Sequence, residues 1–240
     1  MKTRRSPMRQ PWLVSSLPRG IIVSCQPSAT SPWRGPKQVA ALAAAAERGG
    51  AAAVRVDGPE AVKACRRVTS LPIIGIYTDP TAHRSVAITP TLQHALALVE
   101  AGADIVALDA SYHARSHDGQ DLATLIGDLK QQTGVPVMAD VAVLSDGLLA
   151  VTAGADMVGS STTGYADGAT STFPDLRLVE QLTESLQVPI IAERGYATED
   201  HVKSAFQAGA YAVVIGSAIT DPVFITARFS ELFRNVIPRT

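Results

Sequence analysis

Gln26, Arg55, Asp109, Asp140 and Glu193 each stand at the end of a run of Val, Ile, Ala or Leu. A charge that leaves a buried segment needs a partner or a ligand. One reading is a set of salt bridges that tie loops to strands. The other is a ring of polar groups converging on a small polar molecule. Asp57 ends the second such run, and Tyr77, Thr78 and Asp79 end the third. Gly195, Gly216 and Ser217 carry a different chemistry. Bare backbone N–H groups and a hydroxyl before a helix suit a phosphate, although glycine also serves plain turns. The histidines are His83, His94, His113, His117 and His201, and their spacing matches no metal motif. They read as solvated side chains.

The elements that position these residues are announced by internal repetition. EAGADIVALDA (100–110), TAGADMVGS (152–160) and QAGAYAVVIGS (207–217) pass from a helical pattern through a glycine into a β-branched run. ERGGAAAVRV (47–56) is a looser copy. Gly102, Gly154 and Gly209 suit the left-handed residue that ends a helix. Recurring α→β units predict a parallel sheet covered by helices, and at this length a (β/α)8 barrel. The predicted strands are 20–25, 52–56, 73–77, 105–110, 135–139, 157–160, 189–192 and 212–216. The predicted helices are 36–48, 59–69, 90–101, 119–133, 144–153, 174–186, 198–208 and 221–234. Pro36, Pro59, Pro90 and Pro174 fall where helices begin, and Pro72, Pro136 and Pro189 open strands. A doubly wound open sheet normally shows a glycine-rich fingerprint after its first strand, and Ser24-Cys25-Gln26-Pro27 is not one.

Composition bounds the function. The chain has 240 residues, 46% apolar and 18% charged, with a net charge of -1. That describes one ordinary globular domain with no global attraction to nucleic acid or anionic membranes. No apolar run approaches the ~20 residues that span a bilayer. Cys25 and Cys65 form neither a disulfide framework nor a metal spacing, and they read as reduced thiols of a cytoplasmic protein. Residues 1–17 carry Lys2, Arg4, Arg5 and Arg9 with no acid and no apolar stretch behind them. They read as a disordered basic tail ahead of a barrel over 18–240, and the twin arginines at 4–5 do not indicate export.

From Leu17 to Phe233 the chain resembles the N-acetylmannosamine-6-phosphate 2-epimerases of bacterial sialic-acid catabolism. The resemblance is carried by GIIVSCQ (20–26), LPIIGIY (71–77), ITPT (88–91), AGADIVALDA (101–110), MAD (138–140), GADMVGSSTTGY (154–165), IAE (191–193) and VVIGSAIT (213–220). It implies an α/β fold, a single TIM barrel like the ribulose-phosphate-binding barrels. It also implies a cytoplasmic enzyme, often a homodimer, that needs no metal or redox cofactor. Its substrate is a phosphorylated amino sugar, and it removes and returns the proton at C2. By carry-over, Glu193 is catalytic. Gln26, Arg55, Asp140 and Arg194 contact the sugar, and Gly195, Gly216 and Ser217 hold the phosphate.

Two positions depart from the family. Thr78 stands where the family places a catalytic lysine, and Glu193-Arg194-Gly195 replaces Glu-Gly-Arg. A threonine hydroxyl is not a base near neutral pH. Asp79, His83, a water or a substrate hydroxyl are substitutes, or Glu193 alone serves both faces. The same scaffold also admits a different phosphosugar isomerase, or a protein that binds a phosphosugar without turnover.

Overall fold

A computed structural model of the protein describes residues 16–28, 31–78, 88–112, 115, 120–162 and 173–236. Eight parallel strands close in sequence order into a barrel. They are β1 (Gly20–Ser24), β2 (Ala53–Asp57), β3 (Ile73–Ile76), β4 (Ile105–Asp109), β5 (Val137–Asp140), β6 (Met157–Gly159), β7 (Ile190–Ala192) and β8 (Ala212–Ile215). The ring is sealed by pairing of Gly20 to Val23 with Ala212 to Ile215. Each predicted strand falls on one of these, within two residues at either end.

The helices are α1 (Pro36–Arg48), α2 (Pro59–Cys65), α3 (Leu92–Ala101), α4 (Leu122–Thr133), α5 (Leu144–Thr152), α6 (Leu176–Ser185), α7 (Glu199–Gln207), α8 (Ser217–Thr220) and α9 (Pro222–Val236). Among the described residues, none is long and apolar enough to cross a membrane. Pro36 and Pro59 occupy first-turn positions, as the sequence predicts. Asp121, Asp175 and Thr198 cap α4, α6 and α7 by accepting the N–H of Thr124, Leu178 and His201. Such a bond satisfies one of the N–H groups that a helix start leaves unpaired. Gly102, Gly154 and Gly209 all have positive φ (105, 99 and 91°), so the repeated Ala-Gly motif is a helix stop.

Two structural differences stand out. Helix α2 ends at Cys65 rather than at 69. Arg66 leaves the helical face to donate to the carbonyls of Gly102 and Leu71 and to Asp104. The short helix α8, unforeseen in the sequence, begins directly after Gly216, the one residue between it and β8.

The core has two layers. Residues of alternate strand positions, including Ile22, Ile74, Ile105, Met138, Met157 and Val214, fill the barrel interior. Leu17 joins them from below at 1% exposure, and its carbonyl accepts the Tyr211 hydroxyl. The outward strand faces pack on the helices, where α1 presents Val39, Ala40, Ala43 and Ala46. Small side chains let that helix lie close to the sheet. The inward alternation runs out at the C-terminal rim on Arg55, Asp109 and Asp140, so the apolar interior is topped by a charged layer.

Candidate active site

Arg55 lies on the inward face of β2, and its guanidinium crosses the barrel mouth. Its Nη1 and Nη2 donate to Oδ1 and Oδ2 of Asp140 at 3.1 and 2.6 Å, a bidentate pair. Nη1 also donates to Glu193 Oε2 at 2.9 Å. Arg55 and Asp140 are 1% and 0% exposed, whereas Glu193 retains 14%. Glu193 is therefore the member of the trio that a ligand reaches. Burial works against the guanidinium charge, but Asp140 and Glu193 outweigh it and hold Arg55 firmly protonated. Its Nε–H has no partner among the described residues.

Glu193 carries the most telling electrostatics. Burial pushes its carboxyl up to about 7, and neighbouring Asp140 adds to the rise, while Arg55 and Arg194 oppose it. A carboxyl titrating near neutral pH can both take and return a proton at useful rates. Its backbone is fixed by Ser160 at the end of β6. The Ser160 hydroxyl accepts the Glu193 N–H at 3.0 Å and donates to the Glu193 carbonyl at 3.1 Å. The sequence marks Ser160 only as a polar strand end. Its role depends on the pairing of β6 with β7.

Beside Glu193 opens a cavity of about 400 Å³, lined by Ser24, Ser161, Glu193, Arg194, Gly195, Tyr196, Ala197, Val214, Gly216, Ser217, Ala218 and Phe224. Five predicted site residues thus meet around one space: Glu193, Arg194, Gly195, Gly216 and Ser217. Gln26 is tied to its edge, donating from Nε2 to Ser24 Oγ at 3.0 Å. Arg55 and Asp140 stand behind Glu193. Tyr196 is a lining residue that the sequence does not single out. Burial pushes its phenol up to about 12, and its hydroxyl lacks a partner among the described residues.

The exchanged pair after β7 has a structural signature. Arg194 has φ 79°, a left-handed conformation that non-glycine residues rarely take. Its guanidinium lies over the Phe173 ring at 4.7 Å. Gly195 is also left-handed, at φ 84°, and a Cβ there would come within 2.5 Å of the Phe173 Cβ. Glycine is thus required at 195, and the strain falls on Arg194.

Thr78 is not brought to this cavity. It follows β3, four strands around the ring from β7. Its N–H donates to Asp57 Oδ1 at 2.9 Å, and its hydroxyl bonds the same carboxylate. Asp109, buried at the end of β4, accepts the N–H and hydroxyl of Ser111 at 2.9 and 2.7 Å. His94 and His201 lie on helices, where His94 meets Thr91 and the Tyr77 ring edge. Asp79, His83, His113 and His117 lie outside the described residues.

Known proteins resemble this chain over most of its length. The family model described as "Putative N-acetylmannosamine-6-phosphate epimerase" matches residues 39–235. A Cutibacterium acnes protein named "Putative N-acetylmannosamine-6-phosphate 2-epimerase" is 41% identical over 92% of this chain and 97% of its own. A Thermosynechococcus vestitus protein of the same name is 42% identical over 87% of this chain and 90% of its own. The solved N-acetylmannosamine-6-phosphate 2-epimerase from Clostridium perfringens superposes with a TM-score of 0.85 at 33% identity, over 91% of this chain and 95% of that one. A thiamine phosphate pyrophosphorylase from Pyrococcus furiosus, at a TM-score of 0.57 and 18% identity, shares the fold alone. By its model match and by these relatives, the chain belongs to the N-acetylmannosamine-6-phosphate epimerase family.

Proposed function

We propose that this protein interconverts N-acetylmannosamine 6-phosphate and N-acetylglucosamine 6-phosphate in amino-sugar catabolism. The observation that carries the reading is Glu193, a half-buried carboxyl lifted to about 7 and held beside a cavity that ends in Gly195, Gly216 and Ser217. Epimerisation at C2 begins from the open-chain aldehyde. A base takes the C2 proton, and the electron pair of the C–H bond forms C1=C2 as O1 gains negative charge. Protonation of the opposite face of C2 restores the aldehyde with inverted configuration.

In this reading Glu193 serves one face. Its raised carboxyl suits the task because the acid and base forms are both populated near neutral pH. Arg55, kept cationic by two carboxylates, lies where its field favours the developing enolate. Gln26 orients sugar hydroxyls and the acylamino group, Asp140 acts on the sugar through the Arg55 guanidinium that it holds, and Arg194 contacts the sugar from the far edge. The bare N–H groups of Gly195 and Gly216 and the Ser217 hydroxyl receive the phosphate, as loops after strands seven and eight do in many barrels. Thr78 marks the opposite side of the ring but brings no base of its own.

The protein is proposed to be cytoplasmic, in keeping with two free, buried thiols, Cys25 and Cys65. A homodimer is proposed as well. Val223, Phe229 and Phe233 of α9 are 51, 59 and 61% exposed, an apolar face that a second copy would cover. Light scattering of the purified protein tests the dimer.

Proton NMR of the protein with N-acetylmannosamine 6-phosphate in D2O tests the function. The expected result is loss of the C2 proton together with growth of the N-acetylglucosamine 6-phosphate signals. An unchanged C2 signal with protein in excess refutes the reading.

A further inference from the structure

Resting on that reading, we infer that Asp57 is the second proton-transfer residue, serving the face of C2 opposite Glu193. The simplest inversion at carbon has a group on each side, and the lysine position of the family is Thr78. Among the described residues, three other carboxylates occupy inward positions at the rim. Asp140 is 0% exposed and held by both ends to Arg55, so it reaches no substrate. Asp109 is 5% exposed and turned onto Ser111. Asp57 alone of the three is half-buried, and it lies outside the lining of the cavity beside Glu193, three strands around the ring from β7.

Its placement follows from the strand. Asp57 lies two residues after Arg55 on β2, so it shares the inward face. In register it pairs with Ile76, which also belongs to the barrel interior. Its Oδ1 accepts the Thr78 N–H at 2.9 Å, and the Thr78 hydroxyl adds a second bond. The carboxylate is thereby held beside the lysine position, which follows the strand four around the ring from β7. Thr78 acts as its positioning residue.

The groups facing Asp57 are consistent with a titrating acid. Burial raises its carboxyl above the ordinary carboxylate range, while the Thr78 bonds, Arg34 and Arg55 pull it back. Arg34 comes from the exposed turn before α1, and Arg55 from beneath. With Asp57 half-exposed, the proton it gains or gives up can exchange with solvent between turnovers.

The step balances. In one direction Glu193 takes the C2 proton and becomes the acid, and Asp57, protonated, gives its own proton to the other face. The product leaves with Asp57 ionised and Glu193 protonated, and exchange with water resets both. The reverse direction swaps the roles.

The test follows the isotope. Wild-type protein turning over N-acetylmannosamine 6-phosphate in D2O is expected to give a product deuterated at C2, while unreacted substrate still keeps its proton. Asp57→Asn is expected to lower interconversion by about 10²–10⁴-fold. It should still wash out the C2 proton of one epimer, and Glu193→Gln should wash out that of the other. A merely structural role for Asp57 would slow exchange of both epimers equally. Interconversion by Asp57→Asn within threefold of wild type overturns the inference, as does transfer of the substrate's own proton into the product. The second result needs no variant and holds even if Asp57→Asn fails to fold. Absence of any C2 exchange by the wild type is a different outcome, since it removes the epimerase reading and the role of Asp57 with it.

Discussion

The two ends of this barrel treat their acids in opposite ways. At the N-terminal end, Asp104 and Asp156 follow the Ala-Gly-Ala turns of two repeats. Asp104 Oδ2 accepts the Ile73 N–H at 2.9 Å, and Asp156 Oδ2 accepts the Val137 N–H at 2.9 Å. Each also has its own cation, Arg66 for Asp104 and Lys130 for Asp156, the latter at 2.8 Å. One acid therefore pins a strand start and a helix to each other, and the device is used twice. At the C-terminal end, one buried arginine is shared by Asp140 and Glu193, its Nε–H has no partner among the described residues, and Glu193 is raised. Asp57 and Asp109 are raised there too, chiefly by burial. Paired acids in local turns build stability. Acids that share too little positive charge keep their protons within reach of chemistry.

The sharpest way to break that contrast is Arg55→Met. Removing the cation leaves Asp140 and Glu193 buried against each other, and a loss of about 3–5 kcal/mol is expected in denaturant unfolding, together with loss of turnover. A change under 1 kcal/mol would show that the two carboxylates do not depend on Arg55.

Glu193→Gln separates activity from stability. Turnover is expected to fall by about 10²–10⁴-fold. The folded protein raises this carboxyl to about 7 from its ordinary 4.5, so the folded state holds the proton more tightly than the unfolded chain. Its contribution to stability is full below 4.5 and is lost as pH rises through 7. Glu193→Gln should therefore gain stability relative to wild type between pH 4 and pH 8, as chemical denaturation at the two pH values would reveal. In the direction where Glu193 takes the proton, wild-type kcat/KM should rise through about pH 7.

At the other end, Asp104→Ala should do the reverse. It leaves the Ile73 N–H without its acceptor and takes the carboxylate, though not the carbonyl partners, from Arg66, and a cost of about 1–3 kcal/mol is expected with kcat unchanged at 25 °C. A selective loss of kcat in a stably folded variant would erase the division between the two ends.

The smallest effect concerns Arg194→Gly. Relief of a left-handed non-glycine residue is worth about 1 kcal/mol, partly offset by loss of the contact with Phe173. The melting temperature should rise slightly or hold, while KM for the sugar phosphate rises. A lower KM would mean that Arg194 obstructs the substrate.

Much of this architecture is legible locally. Helix α1 matches its predicted limits because Pro36 and Gly49 punctuate both ends. Asp121 and Asp175 were equally readable as caps, yet the predicted starts at 119 and 174 run past them. The end of α2 was not readable, because Arg66 leaves the helix for partners on the next unit. At the site, Arg55, Asp140 and Glu193 are visible as polar ends of apolar runs, but 85 and 138 residues separate the arginine from its two partners. No local pattern states that pairing, and the raised carboxyl of Glu193 follows from it.

What the sequence determined by itself is the number and order of the β/α units, through glycine stops, proline starts and apolar runs that act over a few residues. It also determined which strand ends are polar. Closure of the ring decided the rest: that Glu193 is the reachable member of a buried trio, that Arg194 bears the strain Gly195 cannot be spared for, and that Asp57 stands at Thr78. Those properties depend on burial and on charges brought together across the barrel, and neither exists until the last strand pairs with the first.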